Sequence, residues 1–124
     1  MAPHWVQKVS DQFYPYIRPQ ETGTKTDIRW LRLTDAQGRG LEVSAEEPFS
    51  ASALHYTIES LDDNDIKDNR HSELLQEDDV TNLLLDYRQA GVACVNSWGA
   101  LPLPQHRLPF GEYSFHFVLR PVNL

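Results

Sequence analysis

A single cysteine and a single methionine occur in 124 residues. Cys94 has no partner with which to close an internal disulfide, and no Cys/His spacing matches a zinc site. The lone thiol fits a reducing compartment. No run of basic residues offsets a formal net charge of −7, which excludes the nucleic-acid backbone and an anionic membrane surface as expected partners. No apolar run approaches membrane-spanning length. The opening stretch MAPHWVQKVSDQFYPY lacks a basic region followed by an apolar core, so no secretory leader is expected and a cytoplasmic setting is. Internal repeats, low-complexity stretches and linkers are missing too, and residues 1–124 read as one domain.

What is present is ordinary for a chain that buries a core, with 40% hydrophobic and 23% charged residues. The pattern is that of strands. In YSFHFVLRPV, Tyr113, Phe115, Phe117 and Leu119 alternate with Ser114, His116 and Arg120, the period of two of a half-buried strand. GLEVSAEE sets Leu41, Val43 and Ala45 against Glu42, Ser44 and Glu46. TDIRWLRLTD carries Ile28 and Trp30 on one face and Leu31 and Leu33 on the other, which predicts a more central strand. The TDAQGRG connection has the Asp and Gly residues of a hairpin turn. NLLLDYRQAGV, SASALHY and HSELLQ are further strand candidates, with Leu83, Leu85 and Tyr87 on one side of the first. TIESLDDNDIKDN is read as a helical turn or two capped by Thr57. The expectation is an antiparallel all-β fold of about six or seven strands with at most a short helix.

Few groups point to chemistry. Asp62, Asp63, Asp65 and Asp68 are oxygen ligands at short spacing, but the central glycine and distal glutamate of an EF-hand are missing, so a solvated loop is expected. Glu77, Asp78 and Asp79 fall in a polar turn, where carboxylates stay solvated and do no acid/base work. His4, His55, His71, His106 and His116 are scattered. Cys94 lies near no obvious base and reads as a small buried hydrophobe. No phosphate-binding glycine loop or nucleophile elbow is present. GVACVNSWGALPLP remains, with Trp98 between serine and glycine just ahead of two prolines. A large ring there is either folded into the core or held out for a ligand, and the flat face of a sugar is the partner that an exposed ring suits.

Two longer stretches carry a resemblance. YIRPQETGTKTDIRW is similar to the pattern Y-x-x-P-Q-E-N-G-x-R-x-D-x-R-W of glycoside hydrolase family 2 β-galactosidases. LLLDYRQAGVACVNSWGALPLPQHRLPFGEYSFHFVLRP resembles the C-terminal end of the same family: L-D-x-x-Q-x-G-V-G-G-D-D-S-W-G, then P-x-x-x-Y-R-L, then an aromatic-rich last strand. The match runs in order from about Asp11 to Val122. It implies the C-terminal part of a large antiparallel β-sandwich of the galactose-mutarotase-like kind, the segment that closes the polypeptide or ends the small subunit of a split enzyme. The aromatic, proline-rich FYPYIRPQETG so near the start agrees with a piece of a longer chain.

The activity implied is retaining hydrolysis of β-galactosides such as lactose. Its two carboxylates stand about 5 Å apart in such enzymes, and they belong to a barrel domain absent from this segment, so the chain alone is expected to be inactive. The magnesium and sodium sites that the resemblance implies are expected outside it as well, with no cofactor in this segment. The tryptophan of S-W-G matches Trp98 and implies a stacking platform for sugar at the active-site mouth, with Ser97 and Asn96 beside it as substrate-binding candidates. The family's Gly-Gly-Asp-Asp is here Ala93-Cys94-Val95-Asn96, which loses two flexible positions and two charges, and Thr22 replaces an asparagine. Arg29 is expected to be paired in a partly buried site. The implied partners are a galactoside and the remaining domains or large subunit of the enzyme, with self-association of the isolated piece through its exposed sheet edges. The competing expectation is a non-catalytic structural module with Trp98 in its core.

Overall fold

A computed structural model describes residues 4–14, 23–61, 74–90 and 99–123. They form four strands, β1 (Lys25–Thr34), β2 (Gly40–Leu54), β3 (Asn82–Asp86) and β4 (Phe117–Val122), one short helix, α1 (Ile58–Leu61), and 3-10 turns at Val9–Gln12 and Pro104–His106. The fold is all-β and antiparallel, with one short helix among the described residues. Two compact units are present, Met1–Lys25 with Ala51–Leu85 and Thr26–Ser50 with Asp86–Leu124.

Strand β2 is the hub, since β1, β3 and β4 all pair with it. GLEVSAEE and SASALHY are therefore not two strands: one strand of 15 residues runs through both, with Pro48 inside it. A proline gives up a single ladder N–H, which a strand tolerates where that N–H is not needed. The central place expected for β1 also goes to β2, because β1 sits at the end of the path β1–β2–β3. Apolar residues on both faces of β1 do not make it central, and Trp30 is 47% exposed. The strand buried on both faces is β2, where Phe49, Ser50, Ala51 and Ser52 are consecutive buried positions.

The hairpin between β1 and β2 forms as its Asp and Gly residues predict. The Asp35 carboxylate accepts the backbone N–H groups of Gln37 and Arg39, both at 2.9 Å, and the Arg39 guanidinium lies 2.9 Å from its other oxygen. These donors, led by the Arg39 backbone N–H, hold the Asp35 carboxyl below its ordinary value. Gly40 opens β2 because a Cβ there would lie 1.9 Å from the Leu33 carbonyl oxygen. The Asn123 amide donates to the Gly38 carbonyl at 2.9 Å.

On the other side of β2, β4 runs antiparallel in a register that sets Ala45 opposite Phe117, Val43 opposite Leu119 and Glu42 opposite Arg120. The alternation expected over 113–122 is realised as a ladder only from Phe117 onward. His116 is exposed. In the first unit Leu54, Tyr56 and Leu61 form a small core with Phe13 and Leu75 against it. Thr57 caps α1 as expected, its hydroxyl accepting the Ser60 N–H at 3.1 Å. Burial, and after it the Glu77 carboxylate, pushes the Tyr56 phenol up from its usual value. Residues Asp62 to Asp68 of the acidic stretch lie outside the described residues.

Candidate functional site

Asn96, Ser97 and Trp98 lie outside the described residues, as do Ala93, Cys94 and Val95. What can be built is the frame that flanks segment 91–98, and every part of it belongs to the second unit.

The entry flank begins where β3 ends. The Asp86 carboxylate accepts the Gln89 amide at 3.0 Å, closing a local turn. Tyr87 directly follows β3, and its ring stacks on Phe115 at 5.4 Å with 11° between the planes. Phe115 in turn meets Phe49 at 6.3 Å and Phe117 at 5.4 Å, both tilted. Such offset and tilted pairs favour the ring quadrupoles and add to burial of apolar area. The Tyr87 hydroxyl donates to Glu47 Oε2 at 2.7 Å. Arg88 sits 4.8 Å from the centre of the Tyr87 ring and donates to its hydroxyl oxygen at 3.2 Å. Tyr87 thus meets an aromatic, a carboxylate and a guanidinium at once.

The exit flank starts at Gly99, whose φ of 82° lies in the left-handed region. A side chain there would be strained, which gives the glycine after Trp98 a physical reason. Downstream, the Arg107 guanidinium donates to the Pro102 carbonyl at 2.6 Å, the Pro104–His106 turn closes through His106 N–H to Leu103, and the Tyr113 hydroxyl donates to the Pro109 carbonyl at 2.5 Å. The arginine and proline of the P-x-x-x-Y-R-L-like stretch are therefore hydrogen-bonded to each other.

Across the strand from the aromatic cluster lies a second polar group of the same unit. Glu42, expected on a solvent face with Ser44 and Glu46, is only 7% exposed. Its carboxylate takes Arg32 Nε at 2.6 Å from β1 and Arg120 from β4. The Arg32 hydrogen bond first, and Arg120 after it, hold the Glu42 carboxyl below its ordinary value against the opposing effect of desolvation. Arg32 also lies 5.5 Å from the Trp30 ring centre. Arg29, expected to be the paired and partly buried arginine, is exposed; strand parity puts Arg32, not Arg29, on the face of Glu42.

Elsewhere, the first unit has an open cavity of about 490 Å³ lined in part by Gln7, Asp11, Tyr14 and Lys25. The Lys25 ammonium there is taken up by the Gly23 carbonyl at 2.5 Å and by the Trp5 ring at 5.2 Å. Among the described residues, no three His, Cys, Asp or Glu side chains come together to hold a metal ion, and no helix is long and apolar enough to cross a membrane.

The residues that sequence patterning passed over are Glu47 and Phe115 as partners of Tyr87, and Arg107. Only the parity of Phe115 and Tyr87, each on the apolar side of its alternating sequence segment, hinted at the stack.

Residues 2–119 match the family described as β-galactosidase small chain. The β-galactosidase of Priestia megaterium is 35% identical over 115 residues, covering 92% of this chain and 11% of that protein. β-Galactosidase BgaC of Bifidobacterium adolescentis is 32% identical over 113 residues, 85% of this chain and 10% of that protein. The β-galactosidase of Halalkalibacterium halodurans is 35% identical over 112 residues, 90% of this chain and 10% of its own length. The chain thus spans about a tenth of the length of the curated relatives it matches.

Proposed function

The chain belongs to the β-galactosidase small-chain family, and we propose that it serves as the C-terminal part of a β-galactosidase, lending Trp98 to the galactoside-binding cleft as a stacking platform. The observation that carries the platform role is the frame itself. The described residues on either side of segment 91–98 include Tyr87, held by three side chains, and Gly99, at φ 82°. A ring offered to a ligand is useful only where its backbone is held, since ordering it at the moment of binding costs affinity. Ser97 and Asn96 would supply the polar contacts beside it.

In this reading the chain performs no bond cleavage. Retaining hydrolysis needs two carboxylates about 5 Å apart across the glycosidic bond, and both are assigned to the rest of the enzyme, together with the magnesium and sodium sites. The isolated chain is inactive on aryl galactosides and associates with itself through apolar surface that the remaining domains or large subunit otherwise cover. The enzyme works in the cytoplasm on terminal β-D-galactosides such as lactose. A second reading is favoured by one observation: Trp30, Phe117, Val118 and Leu119 are all substantially exposed, a surface suited to another domain or subunit. There the chain is a buttress, with Trp98 in a core.

The discriminating experiment is Trp98→Ala in the assembled enzyme that contains this chain, with kcat and KM measured on lactose. Loss of a stacking ring raises KM about tenfold with kcat little changed. Unchanged KM with a lowered melting temperature establishes the buttress instead.

A further inference from the structure

We propose that the sheet face carrying Trp30, Arg32, Glu42 and Arg120 is a docking surface for the remainder of the same enzyme, and that the group it receives there is a carboxylate. This docking presupposes the reading of the chain as one part of a larger β-galactosidase. The four residues share one face and one compact unit. Trp30 and Arg32 are two apart on β1, Arg32 reaches Glu42 on β2, and Glu42 stands opposite Arg120 of β4. Val118, two positions before Arg120, extends the same face and is 61% exposed. Phe117 and Leu119 fall on the other face.

One arginine is enough to neutralise a covered carboxylate. Glu42 has two, and their side chains remain 50% and 65% exposed, so this face keeps a surplus positive charge on a chain whose formal net charge is −7. Arg32 spends its Nε–H on Glu42 and Arg120 an Nη–H. Among the described residues neither guanidinium makes another side-chain hydrogen bond. Each has five N–H donors in a rigid fork, so Glu42 holds both groups in place and leaves most of their donors to a second acceptor. A carboxylate matches that fork in shape and in sign. The Trp30 ring, 5.5 Å from the Arg32 guanidinium, sets an apolar surface beside the charge, and Trp and Arg are residue types on which binding energy concentrates at protein interfaces. A free carboxylate gains little from half-exposed partners in water. One borne on the same polypeptide or complex arrives at a high effective concentration. The chain spans about a tenth of the length of its relatives, so the rest of the enzyme is the neighbour that supplies such a group.

The test is residue-resolved footprinting of the assembled enzyme that contains this chain against the chain alone, with phenylglyoxal for arginine and hydroxyl radicals for tryptophan. Arg29, exposed and on the opposite side of β1 from Arg32, is the internal reference. In the enzyme, modification of Arg32, Arg120 and Trp30 relative to Arg29 is expected to slow about tenfold, as for a face covered about nine-tenths of the time. Arg32→Gln with Arg120→Gln is expected to return Trp30 to within about twofold of its rate in the chain alone. Arg32→Lys with Arg120→Lys keeps the charge without the fork and recovers part of the protection. Unslowed modification in the enzyme overturns the proposal. So does protection that survives the Gln substitutions, since apolar contact and not a carboxylate then holds the partner. Protection already present in the chain alone and growing with its concentration makes a second copy the occupant, and protection of the chain alone by acetate makes the site one for a free anion. Either result overturns docking of the remaining enzyme. Should the Gln variant fail to fold, added salt supplies the same contrast: it restores Trp30 modification if a carboxylate holds the face and leaves it slow if apolar contact does. Activity on lactose is read in parallel. An active enzyme with unprotected arginines sinks the docking face alone, whereas an inactive one with protected arginines sinks the galactosidase reading alone.

Discussion

The two faces of β2 in the second unit are held by different physics. On one, Phe49, Phe115, Phe117 and Tyr87 meet ring to ring, with Glu47 closing the cluster at its edge. On the other, Glu42 is gripped by Arg32 and Arg120 from the strands on either side. Apolar contact is insensitive to pH and salt, whereas a carboxylate between two half-exposed guanidinium groups depends on both. The aromatic face includes Tyr87, which lies close ahead of segment 91–98 in the sequence, while the charged face ties β1, β2 and β4 together.

The largest expected effect breaks the aromatic face. Phe49 is 1% exposed and among the largest fully buried side chains. Phe49→Ala removes the ring against which Phe115 leans and is expected to cost about 3–5 kcal/mol of folding stability. Denaturant unfolding of the chain measures this directly, and a loss under about 1 kcal/mol would mean that the cluster collapses to fill the space. Trp98→Ala follows in size and, in the reading proposed above, is seen in KM instead of stability. Lost stability with KM unchanged would favour the buttress.

How much of this was legible follows from the distance along the chain over which each feature is determined. The β1–β2 hairpin announces itself locally through Asp35 and Gly38, and Thr57 announces its cap. Alternation also put Phe117 and Leu119 on one side correctly, opposite Ala45 and Val43. It could not say what covers a face, and so Glu42 read as a solvent residue. Its partners lie ten and 78 positions away, and Glu47 lies 40 positions from Tyr87. Nothing local marks such pairs. Joining two segments into one strand through Pro48 depended likewise on which neighbours β2 has. Asn96, Ser97 and Trp98 came from a likeness between motifs, and periodicity alone left Trp98 undecided between core and platform.

The smallest expected effect tests the charged face. Both arginines are at least half exposed, and solvent screening keeps such pairs weak even when one partner is covered. The sign of the pH dependence is nevertheless determined. The folded-state pKa of Glu42 lies below its ordinary value of 4.5, so the native state favours the ionised form. Its contribution is fully present above the unfolded value and is lost as pH falls through the lower folded value. Glu42→Gln should therefore lower the melting temperature at neutral pH and converge on the parent protein as the medium is acidified below about pH 4.5. Added salt should narrow the gap in the same direction. Phe49→Ala, compared over the same range, should show a difference from the parent that neither acid nor salt removes. Were the Glu42→Gln difference equally flat with pH and salt, the carboxylate would be holding the sheet by packing and hydrogen-bond geometry, and the contrast between the two faces would disappear.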